Sequence, residues 1–157
     1  MERGGLERMA QKSELLSQGH TKLTLAAAKL MLEAAERKAQ EIGLAMDVAI
    51  CDEGGNLLAF HRMLGAKITS IEVAIGKAFT AAATGLPTAK YAEMAGAGKP
   101  AFGINVSNSG RFMIVGGGLP IHFHNELLGG IGTSSGTAEQ DTVVSQAGID
   151  ALLAALA

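Results

Sequence analysis

The stretch Val115 to Gly132, VGGGLPIHFHNELLGGIG, concentrates residue types that could do chemistry, and three chemistries compete for it. His122, His124 and Glu126 alternate. On one uninterrupted strand they would share a face, with neighbours ~6–7 Å apart, and offer imidazole and carboxylate donors to zinc or iron. Against this, PIHF and ELL read as two strands joined by His124-Asn125, the length of a two-residue hairpin turn in which Asn tolerates positive φ. Such a turn breaks the shared face and leaves hairpin histidines exposed. A phosphate cradle fits less well, because a glycine-rich phosphate loop leads into a helix N-terminus and GGGLP leads into a strand. The third reading is a ligand wall. Gly116, Gly117 and Gly118, with Gly132 from GGIGTSSG, would present bare amide groups to a planar or compact organic molecule.

Two cations add to that wall. Arg62 follows a strand and could clamp a carboxylate or propionate bidentately. Lys77 sits in a nearly apolar helix, where an unpaired ammonium is costly. Each is explained equally well by an ion pair within the chain, for instance to Glu72, Glu139 or Asp141. Asn105 could orient a ligand or simply shape a loop, and Glu139 and Asp141 are explained by the dipole of a helix first turn. Met63, Met94 and Met113 read as gap-filling core, and Cys51, the single cysteine, as a small buried residue. No Ser/His/Asp order or close carboxylate pair forms a catalytic set.

The elements that must hold these residues follow from periodicity. Thr24 to Ile42 carries apolar residues at helical spacing, with Thr24 as N-cap and Gly43 just past the end. AMDVAIC, the turn DEGGN and LLAFHRM read as a β-hairpin. Ile68 to Thr84 is a helix apolar nearly all round, which predicts burial on more than one side, with a second copy of the chain as the favoured cover. LPTAKYAEMAGAG is a short helix, KPAFGIN leads into a short strand, RFMIVGG is another strand and ELLGGIGTS a third. Thr137 with Gln140 three residues on is a capping box opening a terminal helix. Consecutive strands and grouped helices predict an α+β fold with an antiparallel sheet. Residues 1–22 read as a polar N-terminal tail and 23–157 as a single domain.

With 13 Lys and Arg against 15 Asp and Glu, and no basic block, nucleic acid is not an expected partner. No window holds the roughly 18 apolar residues of a membrane span, and the N-terminus lacks an apolar signal core, so a cytoplasmic protein without a membrane partner is expected.

Four ordered motifs, HRMLGA, KAFTAAATGLPT, GGGLPI and GGIGTSSGTAEQD, resemble the GlcG/HbpS family, which includes the C-terminal domain of PduO-type proteins. The similarity runs from about Leu23 to the C-terminus. It implies a profilin-like α+β fold, an antiparallel sheet flanked by helices, assembled as dimers or higher oligomers. Members of the family bind haem or are linked to corrinoid or diol metabolism. The chain departs from the family at Ser134-Ser135-Gly136, where a Ser-Gly-Gly run is common, and at His124-Asn125, where an Asp-Gly type of turn is usual. The resemblance assigns no haem ligand among His20, His61, His122 and His124. The expectation is therefore a small-molecule-binding protein that takes haem or a related cofactor in a pocket between the glycine wall and the Lys77 helix, completed by a neighbouring subunit. The alternative is an enzyme doing acid–base chemistry on a small carboxylate or carbonyl compound, with Arg62 as clamp and Lys77 or a histidine moving the proton.

Overall fold

The computed structural model describes residues 19–157; residues 1–18, most of the expected polar tail, lie outside it. Helix α1 (Leu25–Glu41) begins at Thr24, whose hydroxyl accepts the Ala27 N–H, and ends before Gly43, which takes the left-handed φ of +72°. Strands β1 (Asp47–Asp52) and β2 (Leu57–Arg62) form the expected hairpin. Its turn is tied by the Asp52 carboxylate, which accepts the N–H groups of Gly54 and Asn56, both at 2.9 Å. Helix α2 (Ser70–Thr84) stops at Gly85 in the left-handed region, and the short helix α3 (Thr88–Met94) follows Pro87. Strands β3 (Gly118–Phe123) and β4 (Glu126–Ser134) flank the two-residue turn His124-Asn125, with His124 at φ +51°. Helix α4 (Ala138–Leu156) opens on the expected capping box, in which Thr137 and Gln140 each receive the other's backbone N–H.

The four strands form one antiparallel sheet in the order β2-β1-β4-β3, giving the α+β architecture expected. On one face Val48, Ile50, Ile121 and Ile131 pack with Met31, Leu32 and Ala35 of α1 and with Val144, Ile149 and Leu152 of α4. On the other face Ala49 and Cys51 meet Ala74, Ala78, Phe79 and Ala82 of α2. Burial at that interface pushes the Cys51 thiol up to about 12, helped by the nearby Asp52 charge, so it stays a neutral packing group.

One expectation is corrected here. KPAFGIN and RFMIVGG do not form strands. Residues 95–117 run as turns, with single turns of tight helix at Ile104–Val106 and Asn108–Gly110. Gly103, Asn108, Ser109 and Gly110 all take positive φ, which no ladder accommodates, and the segment is anchored to α2 instead. Thr80 Oγ1 accepts the Met113 N–H at 2.8 Å, and the Arg111 guanidinium stacks 4.0 Å over the Phe79 ring. Helix α2 is covered by its own chain: Ala74 and Ala78 face the sheet, and Gly76 is roofed by Arg111 and Met113.

Candidate functional site

The glycines expected to form a ligand wall lie where α2 crosses the sheet. A Cβ on Gly132 would stand 2.2 Å from the Ala74 carbonyl oxygen, one on Gly130 2.2 Å from that of Ala78, and one on Gly118 2.6 Å from that of Lys77. Gly117, at φ +115°, has Asp141 Cβ and Lys77 Nζ within 2.8 Å of the place its own Cβ would occupy. The missing side chains let the backbone of an alanine-lined helix lie directly on the strands. Gly117, Gly118 and Gly132 thus face the chain's own helices and not a hollow. Gly116 alone of the four borders open space, a groove of about 330 Å³ shared with Ala89, Ala138, Glu139 and Thr142.

Lys77 occupies the room that Gly117 leaves. It is 1 % exposed, and its ammonium donates to Asp141 Oδ2 at 2.6 Å and to the Thr133 carbonyl at 2.9 Å. Of the three acids that the sequence offered it, the fold selects Asp141. Burial holds its pKa below the ordinary lysine value, opposed by the hydrogen bond and charge of Asp141. Asp141 Oδ1 accepts the Gly136 N–H, Ser145 Oγ donates to the Gly117 carbonyl, and Thr133 Oγ1 shares a hydrogen bond with Ser145 Oγ. These bonds form one satisfied buried network that fixes the glycine run from behind.

Arg62 and Asn105 are not drawn into that network. Arg62 ends the edge strand β2 and is exposed, and Asn105 sits exposed on the Ile104–Val106 turn. Arg62 does lie opposite Asp47 in the β1–β2 register. Asp47, which the sequence reading passed over as part of a strand, is fully buried. Oδ2 receives the Ser135 hydroxyl at 3.4 Å, and Oδ1 has no partner. Desolvation raises its pKa, against the opposing effects of the Ser135 hydrogen bond and the Arg62 charge. The signal available in the sequence was an acid at the head of an apolar strand, in phase with Ala49 and Cys51.

His122 and His124 are exposed, with the His124 ring 4.1 Å from that of Phe123, and His61 Nδ1 stands 3.2 Å from a Glu36 carboxylate oxygen. The turn at His124-Asn125 splits the face that His122, His124 and Glu126 would need. Among the described residues no group of three His, Cys, Asp or Glu is disposed to hold a metal ion. Glu126 turns to the N-terminal segment. Its carboxylate accepts the Thr21 N–H at 3.1 Å, and hydrogen bonding from the Thr21 side chain and then its backbone, with the nearby His20 and His124, keeps its pKa below the usual range. Beside it a cleft of about 340 Å³ is bounded by His20, Thr21, Lys22, Glu53 and Leu127, with Lys22 paired to Glu53 at 2.7 Å. Unlike the Gly116 groove, this cleft carries an imidazole and an ammonium.

The fold recurs in known proteins. The family model described as haem degrading protein HbpS-like matches residues 23–150, and the chain belongs to that family. An uncharacterised 15.0 kDa protein from the dhaT-dhaS intergenic region of Citrobacter freundii is 37% identical over 134 residues, 85% of this chain and 94% of that protein. The crystal structure of Klebsiella pneumoniae protein ORFY superposes with a TM-score of 0.85 at 36% identity, covering 88% of this chain and 95% of that one. That of a PduOC:heme complex superposes at 0.80 with 30% identity, covering 83% and 95%. Among the described residues no helix is long and apolar enough to cross a membrane.

Proposed function

We propose that this protein binds haem or a related flat cofactor in the cleft between the His20–Lys22 segment and the two hairpin ends, with a second copy of the chain covering what one subunit leaves open. The observation that carries the reading is the donor set. His20 supplies an imidazole of the kind that ligates haem iron, Lys22 an ammonium that would exchange its Glu53 partner for a propionate, and Leu127 an apolar contact at one opening. A structural relative solved with haem supports it independently. At about 340 Å³ the cleft is at the small end of ligand sites, which is why a second subunit enters the proposal. Exposed Leu64, Ile68, Phe102 and Val106 give the chain apolar surface with which to self-associate. The Gly116 groove offers backbone, small side chains and the Glu139 carboxylate, but none of the His, Cys, Met or Tyr ligands usual for haem iron. Lys77, closed off by Asp141 and Thr133, favours binding over proton transfer as the role of this fold.

Haemin titration of the purified protein tests the reading. A saturable Soret shift is expected, lost or moved in His20→Ala and kept in Gly116→Val, with native mass spectrometry giving haem per subunit. No shift in the wild type rejects haem. A shift kept in His20→Ala and lost in Gly116→Val moves the ligand to the groove.

A further inference from the structure

Residues Gly19–Thr24 form a strap leading into α1, held at two points by groups far away in sequence. The Thr21 N–H donates to Glu126 at the β3–β4 turn, and Lys22 pairs with Glu53 in the β1–β2 turn. On the inner side of this strap lies a second space, about 160 Å³, lined by Leu23, Ala27, Phe123, Leu128, Leu152 and Leu156. Thr21, Lys22 and Thr24 make its rim, and their polar atoms are engaged elsewhere. The Thr24 hydroxyl accepts the Ala27 N–H, the Lys22 ammonium sits on Glu53, and the Thr21 amide on Glu126. The space is therefore offered hydrocarbon and little else. Its volume is close to that of an apolar protein cavity, about 150 Å³, that takes up benzene, although here one side opens to solvent past Leu156.

We propose that this pocket is a binding site for one neutral apolar group the size of a benzene ring, held beneath the strap between α1, α4 and the β3–β4 hairpin. The site is distinct from the haem reading. A macrocycle does not enter a space of this volume, and the two spaces have only Thr21 and Lys22 in common. Leu23, Leu128 and Leu152 are nearly buried and supply a preformed floor, whereas Leu156, 48% exposed, lies at the opening. No charge in the rim is unspent, so a charged ligand gains nothing there that offsets its desolvation.

The test uses the full chain with leucine methyls labelled for NMR and benzene as the probe. Saturable shifts confined to Leu23, Leu128, Leu152 and Leu156 are expected, with benzoate producing none. Ala27→Phe fills the space from α1 and should abolish the shifts while the protein stays folded by circular dichroism. Should that variant not fold, Leu152→Ala serves instead, enlarging the pocket so that indole, excluded from the wild type, now shifts the same methyls. Absence of shifts in the wild type up to the solubility of benzene overturns the proposal, as do equal shifts in Ala27→Phe. Methyl contacts to a second subunit, seen in a mixed-label sample, also overturn it, because another copy then fills the space. These outcomes are independent of the Soret readout, so failure of one reading leaves the other standing.

Discussion

Lys77 Nζ lies 2.6 Å from Asp141 Oδ2 although 64 residues separate them, and this contact ties α2 on one face of the sheet to α4 on the other. Both side chains are almost wholly buried, at 1 % and 3 % exposure. Removing one partner strands the other without water or counter-charge. Lys77→Met should therefore cost about 3–5 kcal/mol, whereas the double change Lys77→Met with Asp141→Leu should recover most of it, because two apolar groups leave no orphaned charge. Urea unfolding of the two variants checks this. A double variant no more stable than the single one would mean that the network's remaining members need the pair.

Gly132 and Gly130 set how closely α2 can lie on the sheet. With an added Cβ 2.2 Å from a helix carbonyl oxygen in each case, Gly132→Ala or Gly130→Ala must push the helix away. A loss of about 3 kcal/mol or more is expected. Gly96→Ala, whose added Cβ meets nothing nearer than 3.7 Å, should stay within about 0.5 kcal/mol of the parent. The difference between these thermal or urea midpoints measures the close approach directly.

Asp47 should make stability fall as pH rises. Its folded pKa lies above the ordinary value of 3.8, so between that value and the raised one the folded state binds more protons than the unfolded chain. Stability from this group is whole below pH 3.8 and drains away as pH climbs through the folded pKa. Asp47→Asn carries no titrating proton, so its advantage over the parent should grow from pH 4 to pH 7. Denaturant titrations at several pH values would show a flat difference if Arg62 and Ser135 fully offset the burial.

Glu126 fastens the N-terminal strap through Thr21, whose N–H donates to its carboxylate. The site is exposed, so Glu126→Gln should leave global stability almost unchanged. Exchange of the Thr21 amide with solvent should nonetheless quicken several-fold, since the charged acceptor that protects it has been weakened. Hydrogen exchange read residue by residue separates this local loosening from any general loss of stability.

Much of the fold was legible because local rules and the tertiary structure agree. Thr24 and the Thr137–Gln140 box start helices with their own side chains, the Asp52–Asn56 turn is tied within five residues, and His124-Asn125 closes a hairpin of the length its spacing announced. The segment from Lys99 to Gly117 misled because Phe102, Ile104, Phe112 and Met113 look like strand residues. What positions them is not a ladder but positive-φ turns and the distant groups Thr80 and Phe79. The site was less legible than the fold. Lys77 was singled out correctly as a cation needing an explanation, but its neighbours named three acids and only the approach of α4 chose Asp141. Asp47 drew no notice because its burial depends on what the fold packs around its strand, including the distant Ser135, not on the strand itself.

The amino-acid order alone determined which segments form helices and hairpins, since caps, turns and apolar periodicity act over a few residues. It also determined that small residues crowd the strands and one helix. Whether those glycines open toward a ligand or admit a helix is a matter of which surface arrives against them, and that depends on contacts between segments scores of residues apart. The tertiary structure brought α2 onto Gly118, Gly130 and Gly132, placed Lys77 on Asp141, and left the open space beside His20 and beneath the strap.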